Sequence, residues 1–248
     1  MKEKKNFTKT KKILLALLLI FAILFGAAAV YVNDYYHATE TAYAALSDSD
    51  FVTVEYIDKD VLAFIPEEAS AGLIFYPGGK VEYKAYAPLM HELAENGILC
   101  ILPHMTCNLA VLEVNAADGL CEYYPNVENW YMGGHSLGGS MAASYLEKHA
   151  DSFDGLVLCA SYSTADLSAL DLAVISIYGS EDTVLNAEKY ESYKVNLPSG
   201  FAEYEIAGGC HAFFGSYGAQ EGDGTPTITE EEQLAQTVAF ILENIDLP

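Results

Sequence analysis

The chain has 248 residues, of which 52% are hydrophobic and 19% charged. That is enough apolar content for one full α/β core and argues against disorder. All twelve basic residues are lysines, six of them within the first twelve positions, and beyond residue 12 six lysines face 34 acidic residues, a formal balance of −28. Such a surface repels phosphate backbones and has no arginine to clamp anions bidentately, which excludes nucleic acid and disfavours polyanionic substrates.

Residues 1–12 read as a lysine-rich cytoplasmic tail. Residues 13–32, ILLALLLIFAILFGAAAVYV, are twenty uncharged positions, long enough as a helix to span about 30 Å of hydrocarbon. The lysines before them place the rest of the chain outside the cytoplasmic membrane, behind an uncleaved single-pass signal anchor. A cleaved signal peptide, and hence secretion, is the alternative, because Ala27–Ala29 fits a small-residue cleavage site. Residues 33–50 read as a juxtamembrane linker with a short helix, and 51–248 as one α/β domain.

In that domain strands are predicted at 51–57, 61–65, 72–76, 98–102, 130–133, 155–160, 173–178 and 202–206. Several are continuous apolar runs bounded by Gly, Pro or Asp, the pattern of parallel strands buried on both faces. Helices are predicted at 84–95, about 107–118, 138–149, 186–193 and 230–245, the last opening with a capping box, Thr229 and Glu232. Two strands followed by repeated strand–helix units imply a mostly parallel, doubly wound sheet of about eight strands. Five cysteines, Cys100, Cys107, Cys121, Cys159 and Cys210, show no zinc spacing, and Cys107 with Cys121 is the pairing to look for.

Gly134-His135-Ser136-Leu137-Gly138 is a G-x-S-x-G string between a predicted strand and a predicted helix. A nucleophile elbow needs that setting: a strained turn lifts the serine hydroxyl above the sheet, and flanking glycines avoid clashes. A serine needs a base, and the base an orienting acid. Asp182, just past the 173–178 strand, is the expected acid, with Glu181 as competitor. His211, just past the 202–206 strand, is the expected base. Leu137 and Gly79 are the expected oxyanion amides, Lys80 being the near alternative to Gly79. Lys80, His104 and His135 are candidates for the substrate pocket. No metal or organic cofactor is required by this chemistry.

The strings YPGGKVEYKAYAPLMHELAENG, WYMGGHSLGGSMAASYLEKH, SIYGSEDTV and GGCHAFFGSYGAQEGDG resemble the alpha/beta hydrolase fold-5 family, related to dienelactone hydrolases and carboxylesterases. The likeness runs from about residue 55 to the C-terminus, and AFFGSYGAQEGDG is its most specific part. It implies the α/β-hydrolase fold for 51–248, with Ser136, Asp182 and His211 at the motif positions. Asparagine commonly precedes the histidine in that family, whereas Cys210 stands here. Only Ser161–Leu172 lies between the strand after the nucleophile helix and the strand before the acid, too short for a cap domain. The expected function is a serine hydrolase that cleaves a small-molecule carboxylic ester through an acyl-enzyme. The rivals are an acyltransferase or amidase with the same triad, or a catalytically silent binding module.

Overall fold

The computed structural model describes residues 9–245, so most of the expected lysine tail lies outside the described residues. The chain divides into two compact units, with the boundary in sequence between Tyr35 and Tyr36. The first holds helix α1, Lys9–Asn33, which is long and apolar enough to cross a membrane. Its large apolar side chains from Ile13 to Phe25 are all more than half exposed, so no protein core accounts for them.

The second unit is an eight-stranded sheet: β1 (Val52–Asp58), β2 (Val61–Pro66), β3 (Ala71–Tyr76), β4 (Ile98–Pro103), β5 (Trp130–His135), β6 (Gly155–Cys159), β7 (Ala173–Gly179) and β8 (Ala202–Ile206). Their spatial order is β1-β2-β4-β3-β5-β6-β7-β8, with β1–β2 and β2–β4 antiparallel and every later pairing parallel. The helices are α2 (Glu40–Ala44), α3 (Ala87–Glu95), α4 (Leu137–His149), α5 (Ala187–Tyr193) and α6 (Glu230–Asn244).

Strand alternation divides the core in two. Leu73 and Phe75 of β3 face a cluster with Leu89 and Leu93 of α3 and Val238 and Ile241 of α6. Ile74 and Tyr76 face the opposite cluster with Ala142, Ala143 and Leu146 of α4. Both faces of β3, β4, β5 and β6 are therefore buried, which is why these strands read as unbroken apolar runs. The capping box of α6 is formed: Glu232 N–H donates to Thr229 Oγ1 and Thr229 N–H to Glu232 Oε2.

Three expectations need correction. The helix expected near 107–118 is instead a series of short 3-10 turns. Cys107 and Asn108 both have positive φ, and the Asn108 carbonyl is taken by the Lys80 amide at 2.8 Å, so a tertiary bond overrides the local pattern. The 33–50 linker is only partly a linker, since from Tyr36 onward it belongs to the second unit. Tyr36 exchanges backbone hydrogen bonds with Lys80 and Glu82, and Thr39 N–H donates to Ser216 O. All five cysteines are free, so Cys107 and Cys121 are unpaired.

Candidate active site

In an open parallel sheet, ligands are met outside the carboxyl ends of the strands. Four loops converge there: Pro77–Lys80 after β3, Ser136 after β5, Ser180–Asp182 after β7 and Gly208–His211 after β8.

The β5–α4 turn forces Ser136 to φ 52°, ψ −121°, a conformation that side chains rarely adopt. It is tolerated because the surroundings fix it. Ser136 N–H donates to Cys159 O at 2.9 Å, and Ser161 Oγ donates to Ser136 O at 2.7 Å. The glycines of the motif make this turn possible. A Cβ on Gly134 would lie 2.6 Å from backbone atoms of Gly138 and Gly139, and one on Gly138 would collide with the carbonyls of Tyr76 and Pro77. Ser136 and Leu137 are half-buried while the strand before them is fully buried, so the chain emerges from the core at the serine.

His211 Nδ1 lies 2.7 Å from Asp182 Oδ2, with both side chains almost completely buried. Asp182 Oδ1 accepts the amides of Val184 and Leu185 at 2.9 and 2.8 Å, which fixes the carboxylate. An ionised carboxylate only accepts, so the imidazole proton sits on Nδ1 and the Nε2 lone pair is left available. Nε2 is buried and has no hydrogen-bond partner, and no bond joins it to Ser136 Oγ. Glu181, the competitor, instead accepts from its neighbour Ser180 at 3.2 Å.

On the β3 loop, Lys80 has φ 59° and its amide is committed to Asn108 O. Gly78 N–H donates to Tyr86 Oη at 2.9 Å. Gly79 N–H is thus the amide of this loop left without a hydrogen-bond partner among the described residues. Gly79 also lies against Leu137, since a Cβ there would meet Leu137 Cδ2 at 3.0 Å. The two expected oxyanion amides therefore belong to residues in contact.

His135 is enclosed rather than pocket-lining. Its Nδ1 lies 2.8 Å from Tyr86 Oη, and its ring packs 4.5 Å from that of His211. Tyr86 Oη accepts from Gly78, and among the described residues His135 Nδ1 is the acceptor within reach of its own buried proton, so the hydroxyl donates there. Burial, then the neighbouring His211, lowers the His135 pKa well below its usual value, so this ring stays neutral. His104 packs its ring against Tyr83 at 5.2 Å, and its amide donates to Asp60 O; among the described residues no hydrogen bond or ring contact joins it to the serine or histidine loops.

Sequence reasoning passed over three polar residues that support these loops: Tyr86, Asp223 and Gln233. Tyr86 and Asp223 lay within strings that carry the family resemblance, whereas Gln233 carried no such signal.

Residues 72–235 match the alpha/beta hydrolase family. The chain belongs to that family. No curated protein matches it. Among solved structures it is similar to a protein described as a predicted CIB-like hydrolase from Thermoplasma acidophilum, with a TM-score of 0.56 and 15% identity, covering 77% of this chain and 98% of the other. TT1662 from Thermus thermophilus gives a TM-score of 0.56 and 16% identity over 79% of this chain and 99% of the other. Est1E from Butyrivibrio proteoclasticus gives 0.55 and 14% over 79% and 99%. At these identities the likeness establishes the fold alone. Family and fold together support hydrolase activity as the general class.

Proposed function

We propose that this protein is a serine hydrolase that cleaves carboxylic-ester-type bonds in small molecules, with Ser136, His211 and Asp182 as its triad. The observation that carries the reading is the buried 2.7 Å contact of Asp182 with His211 Nδ1, which leaves the His211 Nε2 lone pair available as a base. Rotation of Ser136 about χ1 on substrate binding is the movement that completes the serine–histidine bond, since such bonds are often long before substrate arrives.

In the reaction, Ser136 Oγ bonds to the carbonyl carbon as its proton passes to His211 Nε2. The carbonyl oxygen becomes an oxyanion held by the Leu137 amide at the N-terminus of α4 and the Gly79 amide of the loop after β3. As the ester C–O bond breaks, the leaving alkoxide takes the proton from Nε2. Water then repeats the sequence: it loses a proton to His211 as it attacks the acyl carbon, the C–Oγ bond breaks to release the carboxylic acid, and Ser136 Oγ takes the proton back from Nε2. Asp182 holds the tautomer and the imidazolium throughout. No metal or cofactor is invoked at any step.

The acidic surface and the lack of arginine favour neutral rather than polyanionic esters. With only Ala160–Leu172 between β6 and β7, nothing the size of a cap covers the site there, which favours small or protruding ester groups. We further propose that α1 anchors the enzyme in the membrane with the catalytic unit on its outer side. The mature N-terminus measured by mass spectrometry tests the anchor: retention of residues 1–29 is expected, and a start near Val30 refutes it.

The activity test is labelling of the full chain, in detergent, by a fluorophosphonate. Wild type is expected to label and Ser136→Ala not to. A folded wild type that fails to label refutes the serine-nucleophile reading and favours a silent binding module.

A further inference from the structure

The string that follows His211 is not used by the triad chemistry, yet its Gly222-Asp223-Gly224 step meets both triad loops. Asp223 N–H closes a turn onto Gln220 O, with Gly222 at φ 83° in the position that demands a left-handed residue. That turn aims the Asp223 carboxylate at the backbone beneath the histidine. Oδ1 accepts His211 N–H at 3.2 Å, and Oδ2 accepts Ala212 N–H at 2.8 Å. Gly224 rests against the Glu181 carbonyl, where a Cβ would collide, and Thr183 Oγ1 donates to Gly222 O at 2.7 Å. The same three residues therefore hold the loop of Asp182 on one side and the loop of His211 on the other.

The opposite flank of the histidine is held equally. Gln233 of α6 is wholly buried; its Oε1 accepts Cys210 N–H and its Nε2 donates to Cys210 O, both at 2.9 Å. Cys210 itself is gripped through its backbone. Burial, with the Asp223 carboxylate beside it, pushes its thiol up to about 12, so it stays protonated and takes no part as a thiolate. This explains how a cysteine is accommodated before the histidine.

We propose that Asp223 is a positioning residue for the hydrolase reaction: its carboxylate clamps the His211 and Ala212 amides, and its loop locks the acid and histidine loops at the spacing that the Asp182–His211 bond needs. The alternative role, general support of the fold, would leave that bond intact in any variant that still folds. A carboxylate suits the task because charge-assisted bonds to amides are about twice as strong as neutral ones. The inference rests on the triad reading given above, and its test separates the two.

The experiment compares wild type, Ser136→Ala, Asp223→Ala and Asp223→Asn, each as the full chain in detergent. Two readouts are taken: the rate of fluorophosphonate labelling, and the low-field proton resonance of His211 Nδ1–H, assigned by its loss in His211→Gln. Ser136→Ala is expected to keep the resonance. Folded Asp223→Ala is expected to lose it and to label about 100-fold more slowly, the order of effect of a 1 Å misplacement. Asp223→Asn keeps one acceptor and is expected to fall between, a partial rescue. If Asp223→Ala does not fold, Asp223→Asn decides by the same two readouts. A folded variant with wild-type labelling and an unchanged resonance overturns the proposal. If wild type fails to label, the hydrolase reading fails, yet the resonance in wild type and its loss in the variants still test the clamp.

Discussion

Replacing Tyr86 by phenylalanine removes one oxygen from a site with no solvent. Tyr86 is completely buried, and its hydroxyl sits between the Gly78 amide at 2.9 Å and His135 Nδ1 at 2.8 Å. Phenylalanine keeps the ring and its packing against Phe75, 5.3 Å away, so no cavity larger than an oxygen is left. What changes is that a buried donor and a buried acceptor both lose their partner. Each such group costs about 1–3 kcal/mol when left unsatisfied. The hydroxyl's own burial cost is relieved at the same time, which brings the expected loss to about 2–4 kcal/mol. For a chain of this size that is a fall in melting temperature of roughly 5–15 °C.

Tyr43→Phe serves as control, because its hydroxyl bond to Glu82 is exposed and its removal is expected to cost less than about 0.5 kcal/mol. Thermal unfolding of both variants in one detergent gives the comparison. Because Gly78 adjoins the Gly79 amide, labelling by a fluorophosphonate should also slow in Tyr86→Phe. A melting temperature within a degree of wild type, with unchanged labelling, would refute the assignment of that hydroxyl as the link between the β3 loop and the residue before the serine.

Asp182→Asn should leave the fold intact but lower turnover by about 10⁴-fold through the wrong imidazole tautomer, measured with a short-chain ester; a loss under tenfold would shift the acid role to another residue. Gly138→Ala should fail to yield a soluble, labelled protein, because its methyl group would enter the carbonyls of Tyr76 and Pro77, backbone that cannot rotate away. A well-folded, active alanine variant would contradict the elbow geometry. The pH dependence of stability carries a third test. His135 has a folded-state pKa below its usual 6.5, so between the two values the unfolded chain binds the extra proton. Stability should therefore fall as pH drops below about 6.5, by up to about 1.4 kcal/mol per pH unit from this group, and the slope should lessen in His135→Gln. Identical slopes in the two proteins would show that His135 is not held neutral by the fold.

The parallel strands were legible because burial on both faces removes polar alternation, and β3 to β6 are fully buried. Ser136 was legible for a different reason. Its glycines answer to backbone contacts that no other residue allows, so the chemistry of the turn is written in residue type. The preference for Asp182 over Glu181 rested on the family resemblance rather than on residue type. The two differ by one position on a turn, and what separates them is where the His211 ring ends up. The 107–118 stretch misled because its apolar residues suit a helix, whereas Val111 and Leu112 are exposed and the backbone at Asn108 is committed to Lys80. A long-range bond of that kind leaves no local trace.

The same distinction explains why the supports of the site escaped sequence reasoning while the residues of the proposed triad did not. In the proposed reaction Ser136, Asp182 and His211 are constrained by what they do, and few residue types can do it. Tyr86, Gln233 and Asp223 are constrained by what they hold, and each holds backbone: the amide of Gly78, the amide and carbonyl of Cys210, the amides of His211 and Ala212. Backbone groups are present at every position, so a side chain that grips them has no partner whose identity would reveal it. The consequence for the energetics is that local stability and reactivity are joined at these three residues. A buried amide released there loses its hydrogen bond and also frees a loop of the proposed triad to move. Substitutions at the supports should then lower melting temperature and labelling rate together, whereas Ser136→Ala should lower labelling alone.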